Sequence, residues 1–165
     1  MAPIQRSRSE LEQQVVEEIR AWHMSQDVLD EAISEDWGVN RTEGRVLDIV
    51  ERAGRITAGQ LGAEVRLTSG AVTAVVDRLE AAGLVRRIRD TVDRRRVFIE
   101  VTSKTEGLAV PIFGPMGAES HQIMAGYTDA ELELIGGFIR AGRELLVRHS
   151  TRIYELMQKG KDAAS

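Results

Sequence analysis

The chain has 165 residues, 42% apolar and 29% charged, proportions of one ordinary globular unit rather than of a disordered or membrane-embedded polymer. It has no Cys, which excludes disulfides, thiolate nucleophiles, cysteine metal sites and oxidant sensing through a thiol. The net charge of −4 speaks against a polyanionic partner for the chain as a whole, but what matters is the charge on the face that makes contact. No apolar run approaches the ~20 residues of a bilayer crossing, and none follows Arg6 and Arg8 as in a secretory signal. A cytoplasmic location is expected.

From the N-terminus, Leu11, Val15, Ile19, Trp22, Leu29, Ile33 and Trp37 recur at helical spacing and predict a long amphipathic helix. A capping box of Ser9 with Glu12 opens it and Gly38 closes it. Thr42 is the expected cap of a second helix carrying Val46, Leu47 and Val50, which stops near Gly54. Thr57 with Gln60 opens a short third helix through Leu61 and Val65. Thr68 caps a fourth, whose buried stripe is Val72, Val75, Val76 and Leu79 and whose stop is a left-handed Gly83 with Leu84 packed beside it.

The period then changes. Leu84 to Ile88 and Val97 to Val101 are β-branched runs either side of Asp90-Thr91-Val92-Asp93 and read as a two-stranded hairpin. Between Leu84 and Val97 six arginines stand against two aspartates, so an acidic chain carries one basic stretch. Ser103 with Glu106 and Thr128 with Glu131 are two more capping boxes. Pro111 and Pro115 are expected to kink the first of these helices or delay its start; the second carries Leu132, Ile135, Ile139, Leu145, Leu146, His149, Ile153 and Leu156. The order α-α-α-α-β-β-α-α is mainly helical with a small β-hairpin: a helix-turn-helix followed by a basic wing and flanked by long helices.

The run Leu67-Thr68-Ser69-Gly70-Ala71-Val72-Thr73, continuing through Asp77-Arg78-Leu79-Glu80 and Gly83-Leu84-Val85-Arg86-Arg87, resembles the recognition helix and first wing strand of MarR-type winged-helix transcription regulators. Asp93-Arg94-Arg95-Arg96 followed by Val101-Thr102 resembles that family's wing tip and returning strand. The resemblance implies a single unit over 1–165, with a winged helix-turn-helix at 42–102 and dimerisation helices at 9–38 and 104–158. The stripes of the first and last helices are too long for a compact monomer to cover, and a second copy of the chain would bury them.

The small or polar Thr68, Ser69, Gly70, Ala71 and Thr73 suit a helix N-terminus that approaches base edges in the major groove. Ala74 stands where family members often carry a larger polar or basic residue, which removes one base contact. Arg95 lies where the resemblance puts an arginine into the minor groove, with Asp93 orienting it along the strand; Arg78, Arg86 and Arg94 are expected phosphate contacts. The implied function is sequence-specific repression by a homodimer on a palindromic operator in double-stranded DNA. The alternative left open is a ligand-independent, architectural DNA binder.

Family members typically respond to small, often aromatic, anions in a crevice between the dimerisation helices and the winged helix. Trp22, His23, Arg45, Phe113 and Met116 are the candidates to line one here, though ordinary core or interface packing explains them equally well. An enzyme reading has little support. His23, His121 and His149 are scattered, Ser120 and His121 do not face each other on a helix, and Gly54, Gly59 and Gly62 make no phosphate loop. Glu18, His23 and Asp27 can approach along the first helix, but a histidine beside a stripe is more often packed than metal-bound. No catalytic residue, cofactor or metal is expected.

Overall fold

The structure is a computed structural model that describes residues 6–162. Its elements are α1 (Arg8–Trp37), α2 (Arg41–Ala53), β1 (Ile56–Thr57), α3 (Ala58–Val65), α4 (Ser69–Ala81), β2 (Val85–Arg89), β3 (Val97–Val101), α5 (Ser103–Met124) and α6 (Asp129–Asp162). The chain divides into two compact units, Met1–Pro111 and Ile112–Ser165.

The first unit holds the core. Val46, Leu47, Ile49 and Val50 of α2 meet Leu61 and Val65 of α3, the predicted stripe Val72, Val75, Val76 and Leu79 of α4, and Leu84, Val85 and Ile99 of the sheet. Nearly all are β-branched or leucine, so the core is close-packed and leaves α4 one orientation. The sheet order is β1-β3-β2, all antiparallel, with Val85 opposite Val101 and Arg89 opposite Val97. Sequence reasoning missed β1, whose two residues pair Ile56 with Ile99 and Thr57 with Phe98. A two-residue strand has no alternation to detect, and Thr57 is also the N-cap of α3, as its capping box with Gln60 predicts.

Two helix starts differ from expectation. Ser7, not Ser9, caps α1: its hydroxyl accepts the Glu10 N–H at 3.3 Å while Glu10 accepts the Ser7 N–H at 2.6 Å. Glu12 instead pairs with Arg8 at 2.7 Å. Asn40, not Thr42, caps α2, because its Oδ1 accepts the N–H groups of both Thr42 and Glu43 at 3.0 Å. Asn is at least as good a cap as Thr, and its position one residue before the helix lets one oxygen serve two orphan donors.

Of the two effects expected of Pro111 and Pro115, a kink or a late start of α5, the late start is overturned. The helix begins at Ser103 and is continuous through Pro111 and Pro115 to Met124, with Thr102 preceding it and accepting the Glu106 N–H on its carbonyl at 3.1 Å. Each proline removes a single backbone donor, whereas the start is anchored by tertiary bonds. Thr102 Oγ1 donates to the Gly83 carbonyl at 2.6 Å, Lys104 Nζ to Ala82 at 2.7 Å, and Thr105 Oγ1 to Leu84 at 2.5 Å. These bonds satisfy carbonyls at the α4 stop, where Gly83 has φ +73° as its left-handed role predicts.

In the second unit α6 opens at the predicted Thr128–Glu131 capping box. None of residues 129–160 is buried. Leu134, Leu146, Ile153 and Leu156 are each more than half exposed.

Candidate nucleic-acid interface

Helix α4 reaches the surface through its first turn. Arg66 ends α3 with φ +56°, a left-handed residue that turns the chain sharply between the two helices. Gly62 lies so close that an added Cβ would sit 3.2 Å from Val72 Cγ2 and 3.3 Å from the Leu67 carbonyl. Thr68 Oγ1 then accepts the Ala71 N–H at 3.3 Å. Thr68, Ser69, Gly70 and Thr73 are exposed and Ala71 is half-buried, while an added Cβ at Gly70 would meet nothing within 4 Å. Thr73 uses its hydroxyl proton on the Ser69 carbonyl at 3.0 Å and keeps acceptor capacity outward. The exposed end of α4 is thus small, polar and free of obstruction.

The arginines of α4 and the wing fall into two groups. Arg78 Nε bonds Glu43 at 2.5 Å, Arg86 Nε bonds Glu100 at 2.7 Å, and Arg87 bridges Asp77 and Glu80 on α4. Desolvation opposes the charge on Arg87, but these two carboxylates outweigh it and raise its pKa. Arg87 therefore fastens the wing to α4, a role the sequence reading did not assign. Arg94 and Arg95, by contrast, are exposed at the hairpin tip and make no ion pair with any described residue.

Asp93 acts differently from expectation. It lies in a turn rather than on a strand, its Oδ1 accepting the backbone N–H of Arg95 at 3.1 Å and its carbonyl that of Arg96 at 2.9 Å. The carboxylate fixes the backbone of Arg95 and leaves the guanidinium free, because an Asx turn satisfies the nearest donor first. Across the base of the tip, the Asp90 N–H donates to the Arg96 carbonyl at 2.9 Å.

A profile of the MarR family matches residues 39–97, from just before the cap of α2 to the first residue of β3. The HTH-type transcriptional regulator YcgE of Bacillus subtilis is 35% identical over 147 residues, covering 89% of this chain and 96% of that protein. This chain belongs to the MarR family. Two solved structures share the fold. Streptococcus pneumoniae FabT in complex with DNA superposes with a TM-score of 0.60 at 23% identity, covering 81% of this chain and 96% of FabT. NadR in complex with 4-hydroxyphenylacetate does so at 0.53 and 21%, covering 83% and 94%.

As a MarR-family helix-turn-helix transcription regulator, the protein binds DNA and is not an enzyme. Its other singled-out residues fall in both units. Trp22 and His23 on α1 and Arg45 on α2 are exposed in the first unit; Phe113 and Met116 on α5 are exposed in the second. A cleft of about 400 Å³ is lined by Glu51, Gly54, Arg86, Glu100, Ser103 and Glu106, none of them among those five. Asp27 pairs with Arg41 at 2.7 Å, and no group of three metal-ligating side chains comes together among the described residues. No helix among the described residues is long and apolar enough to cross a membrane.

Proposed function

We propose that this MarR-family regulator acts in the cytoplasm as a homodimeric repressor on a palindromic operator, and that a small aromatic anion releases it. The observation that carries the reading is α6: over thirty residues of amphipathic helix with nothing buried between 129 and 160. An exposed apolar stripe of that length is unstable in water at ~25 cal/mol per Å², and a two-fold partner presenting the same stripe covers it with a self-complementary surface. Two-fold symmetry sets two α4 helices roughly 34 Å apart, one turn of duplex, and so demands a palindrome.

On each half-site the exposed first turn of α4 reads the major groove through Ser69 and Thr73, close approach being permitted at Gly70 and Ala71. Arg95 enters the minor groove, where a guanidinium is favoured by the negative potential, and Arg94 holds a phosphate. For the effector, Trp22 offers an exposed indole to stack on an aromatic ring, with His23 or Arg45 to neutralise a carboxylate. The bound aryl acid of NadR is a precedent for this chemistry on the same fold. A tenfold loss of operator affinity needs only ~1.4 kcal/mol of coupling.

Light scattering on the purified chain tests the first step, and a monomer at micromolar concentration overturns the dimer. Footprinting of the DNA upstream of its own gene, with and without aryl carboxylates, tests the rest. A protected palindrome released by one compound is expected. Sequence-indifferent coverage means an architectural binder.

A further inference from the structure

Two arginine side chains outside the contacts described so far converge on one ring. Arg55, directly before β1, lies with its guanidinium carbon 4.9 Å from the centroid of the Phe98 ring, and Arg96, directly before β3, lies at 5.1 Å. Phe98 precedes the core residue Ile99, so alternation turns its ring to the opposite, outer face of the sheet, yet only 9% of the residue is exposed. Ile88 and Thr57 stand directly across from it on the neighbouring strands, and the two guanidiniums lie over the ring.

We propose that Arg55 and Arg96, seated on Phe98, form a phosphate-binding pair that carries the DNA contact beyond α4 and the wing tip onto the outer face of the sheet. A guanidinium over an aromatic ring is held through its face, and its N–H donors remain available in its plane. Neither guanidinium donates a hydrogen bond to any described residue. That separates them from Arg78, Arg86 and Arg87, each paired with a carboxylate. Asp90 is close enough for its charge to act on both arginines, while its Oδ1 accepts the Val92 N–H at 2.9 Å; two guanidiniums against that carboxylate leave a net positive charge. Arg96 adjoins Arg95 in the chain. A minor groove is only ~6 Å wide and walled by phosphates on both sides, so a duplex entered by Arg95 brings a wall phosphate to the pair. The inference rests on that placement of the wing. Ring seating keeps each guanidinium from folding back onto the surface, which suits a contact that sets register rather than reads bases.

The test must separate charge from cover. Arg55→Gln and Arg96→Gln retain most of the stem over Phe98 and remove the charge; Arg55→Lys and Arg96→Lys retain the charge. Binding of the full chain is measured across a salt series on two duplexes, the region upstream of its own gene and a scrambled sequence of the same composition, with Arg95→Ala alongside. The Gln variants are expected to weaken both duplexes by the same factor and to flatten the salt dependence by about 0.9 in log–log slope for each phosphate no longer neutralised. The Lys variants should keep the wild-type slope. A wild-type slope in both Gln variants overturns the pair and leaves the arginines as cover for Phe98. If Arg95→Ala meanwhile alters discrimination between the duplexes, the wing reading survives that failure; if Arg95→Ala also changes nothing, both fall together.

Discussion

Arg78 on α4 donates its Nε–H to Glu43 on α2 at 2.5 Å, and Glu43 is only 7% exposed. The same carboxylate accepts the backbone N–H of Asn40 at 2.9 Å. One buried acid thus caps α2 and ties it to the helix that faces DNA. Removing Arg78 leaves a buried carboxylate without its counter-ion, a larger loss than that of a surface ion pair.

Burial pushes the Glu43 carboxyl upward, but the Asn40 N–H and the Arg78 guanidinium outweigh it and hold its pKa below the usual 4.5. A depressed folded pKa gives stability that is present above the unfolded value and lost as pH falls through the folded one. Glu43→Gln should therefore cost about 1.5 to 3 kcal/mol at pH 7. Thermal melts of both proteins should differ by a constant amount between neutral pH and about pH 5, then converge in more acidic buffer. A gap that widens on acidification contradicts the assignment.

The two glycines of α3 should respond oppositely to alanine. At Gly62 the new Cβ meets the buried Val72 and the Leu67 backbone at 3.2 and 3.3 Å, so overpacking of about 1 to 3 kcal/mol exceeds the helix gain of up to ~1 kcal/mol. At Gly59 nothing lies within 4 Å, and Gly59→Ala should raise the melting temperature. Equal effects at the two sites mean the helix-turn-helix is looser than described.

Glu100 restrains Arg86 on the outer face of the wing. Neutralising it in Glu100→Gln removes a negative charge there and frees a guanidinium. Affinity for every duplex should rise severalfold, and the slope of log affinity against log salt should steepen by about 0.9, the value of one further phosphate. Anisotropy titrations across salt check this, and a fall in affinity indicates that the pair is needed to shape the wing.

The two tryptophans have separate environments. Trp22 is 59% exposed, whereas Trp37 packs against the core with its Nε1 buried and without a hydrogen-bond partner among the described residues. Iodide should quench a component that Trp22→Phe abolishes. An aryl carboxylate acting as effector should quench the same component; quenching that persists in Trp22→Phe places the effector elsewhere.

Most of the winged helix-turn-helix was legible in the residues because its signals are local. The Thr57 and Thr68 caps, the α4 stripe, the Gly83 stop and the β-branched wing strands each depend on neighbours a few positions away. The caps of α1 and α2 were misplaced because Ser7, Ser9, Asn40 and Thr42 are all competent. Choosing among them depends on which donors the first turn presents.

What tertiary structure decided was the use of each charge. In the chain the six wing arginines look alike, and nothing local distinguishes Arg86 and Arg87, which are paired, from Arg94 and Arg95, which have no ion pair among the described residues. The carboxylates that sort them, Asp77, Glu80 and Glu100, lie 7 to 14 positions away, and Glu43 lies 35 from Arg78. Arg55 is joined to Arg96 only because β1 pairs with β3 and brings Phe98 between them. Hydrophobic periodicity fixes which face of an element is buried, whereas an ion pair depends on which elements become neighbours, and that is set only when the core closes.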